Sequence, residues 1–337
     1  MAKCNISFFI PHLGCPHKCS FCNQNSITGQ SAGNIPHKED IEKTLKKAIC
    51  EIDDKDKNIT EIAYFGGSFT AIKREYMLEL LDAAQPFIGE GKFAGIRIST
   101  RPDCIDEEIL HILKSHHVTA IELGCQSMND TVLKANERGH SREDVIKASK
   151  LIKEFNIKLG LQMMVGLYMS TPEIDMYTAN EILKLSPEEV RIYPVVIMEN
   201  TKLGSLFKSG EYIPYDFKDA VKLSSQILSL FEQNGISVIK LGLHASEVVE
   251  KDCIGGFYHP AFRELCESEI YKNKIEDMLK KTKADIDRVI VSVNPKIVSK
   301  VIGQKRSNIE YFENKGISLK VTQNDKQKED IKIVEIH

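Results

Sequence analysis

No apolar run in this 337-residue chain approaches the ~20 residues that cross a bilayer, so no membrane partner is expected. The first residues, MAKCNISFFIPHLGC, make a poor secretory leader. Their apolar stretch is short, and a cysteine-rich segment stands where a small-residue cleavage site would be. An even, regularly spaced set of cysteines is also missing. There are nine, mostly scattered, which argues against a secreted disulfide framework. A cytoplasmic location is the expectation. Internal repeats and low-complexity segments are absent too, which removes solenoid and linker readings. No charge of one sign dominates. Residues 269–337 hold 15 Lys/Arg against 11 Asp/Glu, or +4, and the remainder holds 30 against 37, or −7. This mild asymmetry permits a nucleic-acid contact in the tail without demanding one.

What is present suits one large domain followed by a small one: 42% of residues are hydrophobic, enough for a sizeable core. Short β-type runs fall at Asn5–Ile10, Glu61–Phe65, Gly95–Ser99, Thr119–Leu123, Lys158–Met164, Val190–Val196 and Ser237–Leu241. Charged segments with helical apolar spacing lie between most of them, among them Asp40–Ile52, Glu75–Ile88, Ser141–Phe155 and Asp216–Gln233. Strands alternating with helices predict βαβ units and a parallel sheet. Six or seven such units exceed a minimal mononucleotide fold, and a partial or complete (β/α) TIM-type barrel is the natural solution. The Gly255-Gly256 pair is expected to open a different region. From about Pro260 the pattern reads as a long helix, a strand at Arg288–Val293, two short helices and two strands. The chain thus divides into a barrel, 1–258, and a small α+β domain, 259–337. Gln323–Asp330 reads as a charged hairpin tip.

Cys15-Pro-His-Lys-Cys19-Ser-Phe21-Cys22 follows the first predicted strand. Nine cysteines placed at random in 337 positions give this C-x3-C-x2-C spacing with a frequency of roughly 0.006, so chance is a poor account. Thiolates are soft ligands that favour iron–sulfur clusters or zinc. A typical zinc knuckle needs a second close pair, and Cys253 and Cys266 are too far apart to supply it. Clusters are normally held by four cysteines. Three on one loop therefore imply a fourth iron with an exchangeable ligand.

The C-x3-C-x-Phe-C loop resembles the signature of the radical S-adenosylmethionine (SAM) superfamily. The resemblance implies a 4Fe-4S cluster on Cys15, Cys19 and Cys22, with SAM on the fourth iron, cleaved on reduction to methionine and a 5′-deoxyadenosyl radical. It also implies a reducing partner of the flavodoxin or ferredoxin type. Phe21 would then pack near the adenine, or serve simply as a core aromatic. Phe65-Gly66-Gly67-Ser68-Phe69-Thr70 resembles the glycine segment that holds SAM's methionine amino group; read alone, it is a plain βα turn.

Further segments come in family order: Ile98-Ser99-Thr100-Arg101-Pro102-Asp103, Glu122-Leu-Gly-Cys-Gln126-Ser127, Glu137-Arg138-Gly139-His140, Gln162-Met-Met-Val-Gly166-Leu167, Arg191-Ile-Tyr193-Pro194 and Tyr258-His259-Pro260. Over about residues 5–265 they resemble the radical SAM half of the Elongator catalytic subunit family and, more distantly, oxygen-independent coproporphyrinogen oxidases. By this resemblance Ser99, Gln126, Arg138 and Gln162 line the SAM pocket, with Tyr193 near its mouth. Arg138 would pair with the SAM carboxylate, or be a surface arginine. Gln126 and Gln162 would otherwise be satisfied polar groups inside the barrel. No histidine is assigned a role. The Elongator subunit also carries an acetyltransferase domain, and the roughly 70 residues after the shared part are too few for one.

Val301-Ile302-Gly303-Gln304-Lys305-Arg306-Ser307 resembles the core of a KH domain, whose G-x-x-G loop clamps single-stranded RNA. Arg306 replaces the second glycine. RNA contacts at Gly303, Lys305 and Arg306 are the functional reading, and a helix–turn–helix that only packs on the barrel is the plain one. The leading expectation is a radical SAM enzyme acting on RNA, as in tRNA modification. The alternatives are a radical SAM oxidoreductase acting on a small molecule or protein, and a non-catalytic iron–sulfur RNA-binding protein.

Overall fold

A computed structural model describes residues 5–10, 13, 15, 19–23, 35–244, 247–282, 286–327 and 329–336. Seven parallel strands form one sheet in sequential order: β1 (Asn5–Ile10), β2 (Glu61–Gly66), β3 (Gly95–Thr100), β4 (Val118–Gln126), β5 (Lys158–Val165), β6 (Glu189–Pro194) and, after a short β7 (Val196–Met198), β8 (Ser237–Leu241). Parallel neighbours need a crossover, and helices supply it. They are α1 (Lys38–Glu51), α2 (Arg74–Ala84), α3 (Glu107–Ser115), α4 (Asp130–Ala135), α5 (Arg142–Glu154), α6 (Pro172–Leu185), α7 (Lys202–Lys208) and α8 (Phe217–Gln233). The sheet curls into a half-barrel with the helices outside, a partial TIM-type fold.

Local chemistry sets the helix starts. Ser141 accepts from the Asp144 amide, and the Asp144 carboxylate accepts in return from the Ser141 amide at 2.7 Å, a capping box that opens α5. Thr171 caps α6, and Pro172 occupies its first turn, where the missing N–H costs nothing. Alternation along the strands sends Ile96, Ile98, Ile121, Leu123, Leu159, Leu161, Val190 and Ile192 against the helices, all almost fully buried. The opposite, concave face carries polar side chains, and the site is built there.

Two expectations need correction. Val196 does not extend β6. Pro194 ends that strand, and Val196–Met198 pairs antiparallel with β9 (Cys253–Gly256). Gly255 and Gly256 therefore belong to the barrel rim rather than opening a new region. Gly256 (φ +84°) lies so close to Val195 and Ile197 that a side chain there would collide with backbone.

The barrel core extends to Phe262 and Cys266 on α9 (Phe262–Lys280), and a second core starts on the same helix at Tyr271. That core gathers Ile275 and Leu279 with Val289, Val291 and Val293 of β10 (Arg288–Val293), Val301 of α10 (Val298–Ile302) and Phe312 of α11 (Ser307–Glu313). The small sheet runs β11 (Ser318–Gln323), β10, β12 (Ile331–Ile336); β10 is parallel to β11 and antiparallel to β12. Because β10 lies between them, the segment after Gln323 crosses the sheet end and is not a hairpin tip. The buried Asn308 amide donates to Ser268 O (2.9 Å) and Val301 O (3.1 Å), tying α11 to the shared helix. Among the described residues no helix is long and apolar enough to cross a membrane.

Candidate active site

The floor of the half-barrel is a buried charge network. Glu122 on β4 accepts from Arg191 Nε at 2.6 Å and Nη2 at 2.9 Å, from Gln162 Nε2 at 2.9 Å and from Arg97 Nη1 at 3.0 Å. Arg97, 2% exposed, also pairs with Glu61 at 2.6 Å and Glu189 at 2.7 Å. Burial works against its charge, but the three carboxylates outweigh it and raise its pKa. The Arg191 guanidinium lies 5.2 Å over the Phe65 ring. Ser99 accepts weakly from Gln162 at 3.4 Å. Tyr193 is half-buried beside Arg191, and burial raises its pKa. Ser99, Gln162 and Tyr193 thus share the concave face. Motif reading gave no role to Glu122, Arg97 or Arg191, which organise that face. The available signal was a charged residue within each of three apolar strands.

Cys15, Cys19 and Cys22 sit half-buried on the loop after β1, at the C-terminal end of the strands, where barrel active sites form. Among the described residues they are not drawn together as a metal cluster. Burial, and then Cys19 beside it, raise the Cys15 pKa; Arg101, Arg138 and the Ser68 amide pull it down.

Gly66 (φ +115°) and Gly67 close the turn under this loop. The Gly67 amide donates to Ile10 O at 2.8 Å, and a side chain at Gly67 would collide with the Leu13 carbonyl. The pair lets β2 lie directly against the segment leading to Cys15. The Ser68 hydroxyl is buried against Thr100 Oγ1 at 2.9 Å, and its amide donates to Leu13 O at 3.0 Å.

Opposite the loop, Arg138 donates from Nη1 to Cys19 Sγ at 2.9 Å and from Nη2 to Gly124 O at 2.6 Å, with its guanidinium 6.0 Å from the Phe21 ring. It is 7% exposed, so the surface-arginine reading falls. Gln126 ends β4 in the left-handed region (φ 67°), next to a register shift between Leu123 and Gln126. Gln126 Oε1, Arg138 Nε and His140 Nδ1 are all buried, with no partner among the described residues. Such orphaned atoms cost free energy unless a ligand satisfies them. An amino-acid carboxylate and a nucleoside are ligands of matching chemistry, and three soft thiols suit iron. The residues present therefore fit both a cluster and SAM. Burial and the Arg138 charge push His140 down to about 4, so it is neutral at pH 7 and is a poor proton donor. His259 Nδ1 accepts from the Ala261 amide at 3.0 Å, a turn contact.

Asp175, at the start of α6, braces the loop after β5. It accepts from the Gly166 amide at 2.7 Å, Ser170 Oγ at 2.5 Å and Tyr215 OH at 2.8 Å. Burial outweighs these donors and pushes it up to about 6. The folded chain then holds a proton between about pH 4 and 6 that the unfolded chain has lost, so stability falls as pH rises through that window, by ~3 kcal/mol at most. Asp175→Asn removes this slope. Urea midpoints of the two proteins at pH 4.5 and 7 measure it, and an equal drop in both would refute the assignment.

Comparison with known proteins places the chain in a family. The family model described as Radical SAM superfamily matches residues 9–177, and that of the radical SAM C-terminal domain matches 187–272. A tRNA uridine(34) acetyltransferase from Methanocaldococcus infernus is 34% identical over 191 residues, covering 50% of this chain and 36% of that protein. An uncharacterized protein of Methanocaldococcus jannaschii is 33% identical over 230 residues, covering 64% of this chain and 68% of the other. The solved Methanocaldococcus infernus Elp3, lacking its N-terminus, superposes with a TM-score of 0.61 at 23% identity, over 82% of this chain and 63% of that one, a likeness of fold. The match to the named acetyltransferase spans only about a third of its length. With the family model spanning half the chain, from β1 through the cysteine loop to α6, the chain belongs to the radical SAM superfamily, enzymes whose cofactors are a 4Fe-4S cluster and S-adenosylmethionine.

Proposed function

We propose that this radical SAM enzyme acts on RNA, and on tRNA in particular. The observation that carries the reading is the 34% identity over 191 residues to a protein named for its action on tRNA uridine. When bound, the cluster and SAM supply a 5′-deoxyadenosyl radical that abstracts a substrate hydrogen atom. The chain's own residues position and enclose. Cys15, Cys19 and Cys22 hold the cluster, while Gln126 and Arg138 present buried polar atoms to SAM. Gly66, Gly67 and Ser68 fix the turn beneath the loop, with Phe21 packed beside Arg138. Ser99, Gln162 and Tyr193 line the concave face below.

The small domain, 259–337, supports the RNA reading through one loop. Gly303 (φ +80°) packs so tightly on Ser307 and Asn308 that no side chain fits there. Lys305 (φ 52°) and Arg306 (φ 65°) are both left-handed, each at a cost of ~1–2 kcal/mol for a residue with a side chain. Both are exposed and make no ion pair among the described residues, so two cations project from a strained turn between short helices, as in a KH loop. The double substitution Lys305→Glu/Arg306→Glu should weaken tRNA binding about tenfold at low salt and flatten the dependence on salt by roughly two counterions. Filter binding across a salt series reads both. Mass spectrometry of total tRNA nucleosides with and without the gene tests the substrate itself; identical profiles would discard it. The electron donor is proposed to be a flavodoxin or ferredoxin.

A further inference from the structure

We propose that Asn136 is a positioning residue that locks the cysteine loop to the barrel mouth, with Ser20 as its counterpart on the loop. The inference rests on the superfamily membership and concerns the chain's own contacts. Ser20 stands between Cys19 and Cys22 and is 0% exposed. Its amide donates to Asn136 O at 3.1 Å and its hydroxyl to Asn136 Oδ1 at 2.7 Å. Its carbonyl accepts from the Leu203 amide at 2.7 Å.

Asn136 is itself 0% exposed, and its side-chain amide is used at both ends. Nδ2 donates to Val132 O at 2.8 Å and to Tyr168 O at 2.9 Å. One side chain therefore joins three segments: the cysteine loop, the end of α4 and the loop after β5. Only an amide offers an acceptor and two donors from a single short side chain, so the requirement for Asn is chemical rather than steric.

Two residues later the same chain reversal delivers Arg138 to Cys19 Sγ at 2.9 Å. Glu137 (φ 55°) and Gly139 (φ 71°) make that reversal. One turn thus grips the loop twice, by its backbone and hydroxyl at Ser20 and by its sulfur at Cys19. The position of Cys19 against Arg138 is set before the cluster arrives, as for outer contacts that orient metal ligands. Asn136 touches no reacting atom, and its effect passes through Ser20.

The test uses anaerobically reconstituted holoenzyme of the wild type, Ser20→Ala, Asn136→Ala and the double variant. Three measurements are made: the rate of cluster absorbance loss under a chelator, the electron paramagnetic resonance spectrum of the reduced cluster with and without SAM, and the melting midpoint of the apo chain. Ser20→Ala should shed its cluster about fivefold faster or more, with a weakened SAM-induced spectral change, while its apo midpoint stays within ~2 °C. The double variant should lose its cluster no faster than Asn136→Ala, because both remove one coupled contact. Should Asn136→Ala fail to fold, Ser20→Ala decides alone, with a threefold change as the dividing line. A smaller change in cluster loss, or rates that multiply in the double variant, overturns the proposal. Cluster formation by the wild type separately tests the superfamily chemistry.

Discussion

Cys22→Ala is expected to leave the chain folded and to lower 5′-deoxyadenosine formation at least ~100-fold, since altering even an outer contact to a metal ligand typically costs 10–100-fold. The fold survives because Cys22 itself is not part of the core. It is only half-buried, while its loop neighbours Leu13 and Phe21 are the ones that pack against the barrel core. The cofactor chemistry does not survive. Three thiolates are the fewest that leave a single open iron, and removing one leaves two adjacent positions that water or buffer can occupy. Cys15→Ala and Cys19→Ala should behave alike, and Cys19→Ala also strips the acceptor from Arg138 Nη1. Cys50→Ala is the control. Cys50 is exposed near the end of α1 and should leave activity unchanged. The assay combines iron and sulfide per chain with chromatography of 5′-deoxyadenosine after dithionite and SAM. Retention of a tenth of the activity in Cys22→Ala, or zinc in place of iron in the wild type, would remove the basis of the reading.

How much of this was legible beforehand depends on the range of the interaction. The strands were legible because buried parallel strands are short apolar runs between helical segments; Asn5–Ile10 and Ser237–Leu241 coincide with the runs read from residues alone. The end of β4 was not, because Gly124 interrupts the run and the strand continues through an irregular register to Gln126. The cysteine loop stood out from spacing, since its three cysteines share eight residues of chain. The Glu122 network was hidden, as its partners Arg97 and Arg191 lie 25 and 69 residues away and only strand order brings them together. Ser20 and Asn136 are 116 residues apart, and although each adjoins a motif, nothing in the sequence pairs the two. In the tail the element order was readable, but the placement of β10 between β11 and β12 was not, because a charged connection looks the same whether it turns back or crosses over.

Arg97→Ala should be among the most destabilising single changes in the chain, at ~3–5 kcal/mol, because it leaves buried carboxylates without their counter-charge. Glu61, Glu122 and Glu189 are 6%, 1% and 3% exposed, so water cannot replace the guanidinium without opening the barrel floor. Glu122 keeps Arg191 and Glu189 keeps Lys158, but among the described residues Glu61 keeps only the neutral Thr119 hydroxyl at 2.9 Å. The penalty should therefore concentrate at Glu61, on β2. The melting midpoint should fall by about 6–10 °C. Adding Glu61→Gln should return part of the loss, since a neutral amide at that position needs no cation. A double-mutant cycle on Arg97 and Glu61 then reads a coupling of ~2 kcal/mol or more. Additive costs would show that the floor is held by packing and that the charges are passengers. The same cycle bears on activity through Glu122, which orients Gln162 and Arg191 on the concave face. With Arg97 gone, Glu122 loses one of its donors and both neighbours gain freedom, so SAM affinity should weaken in Arg97→Ala and recover less than stability does on adding Glu61→Gln.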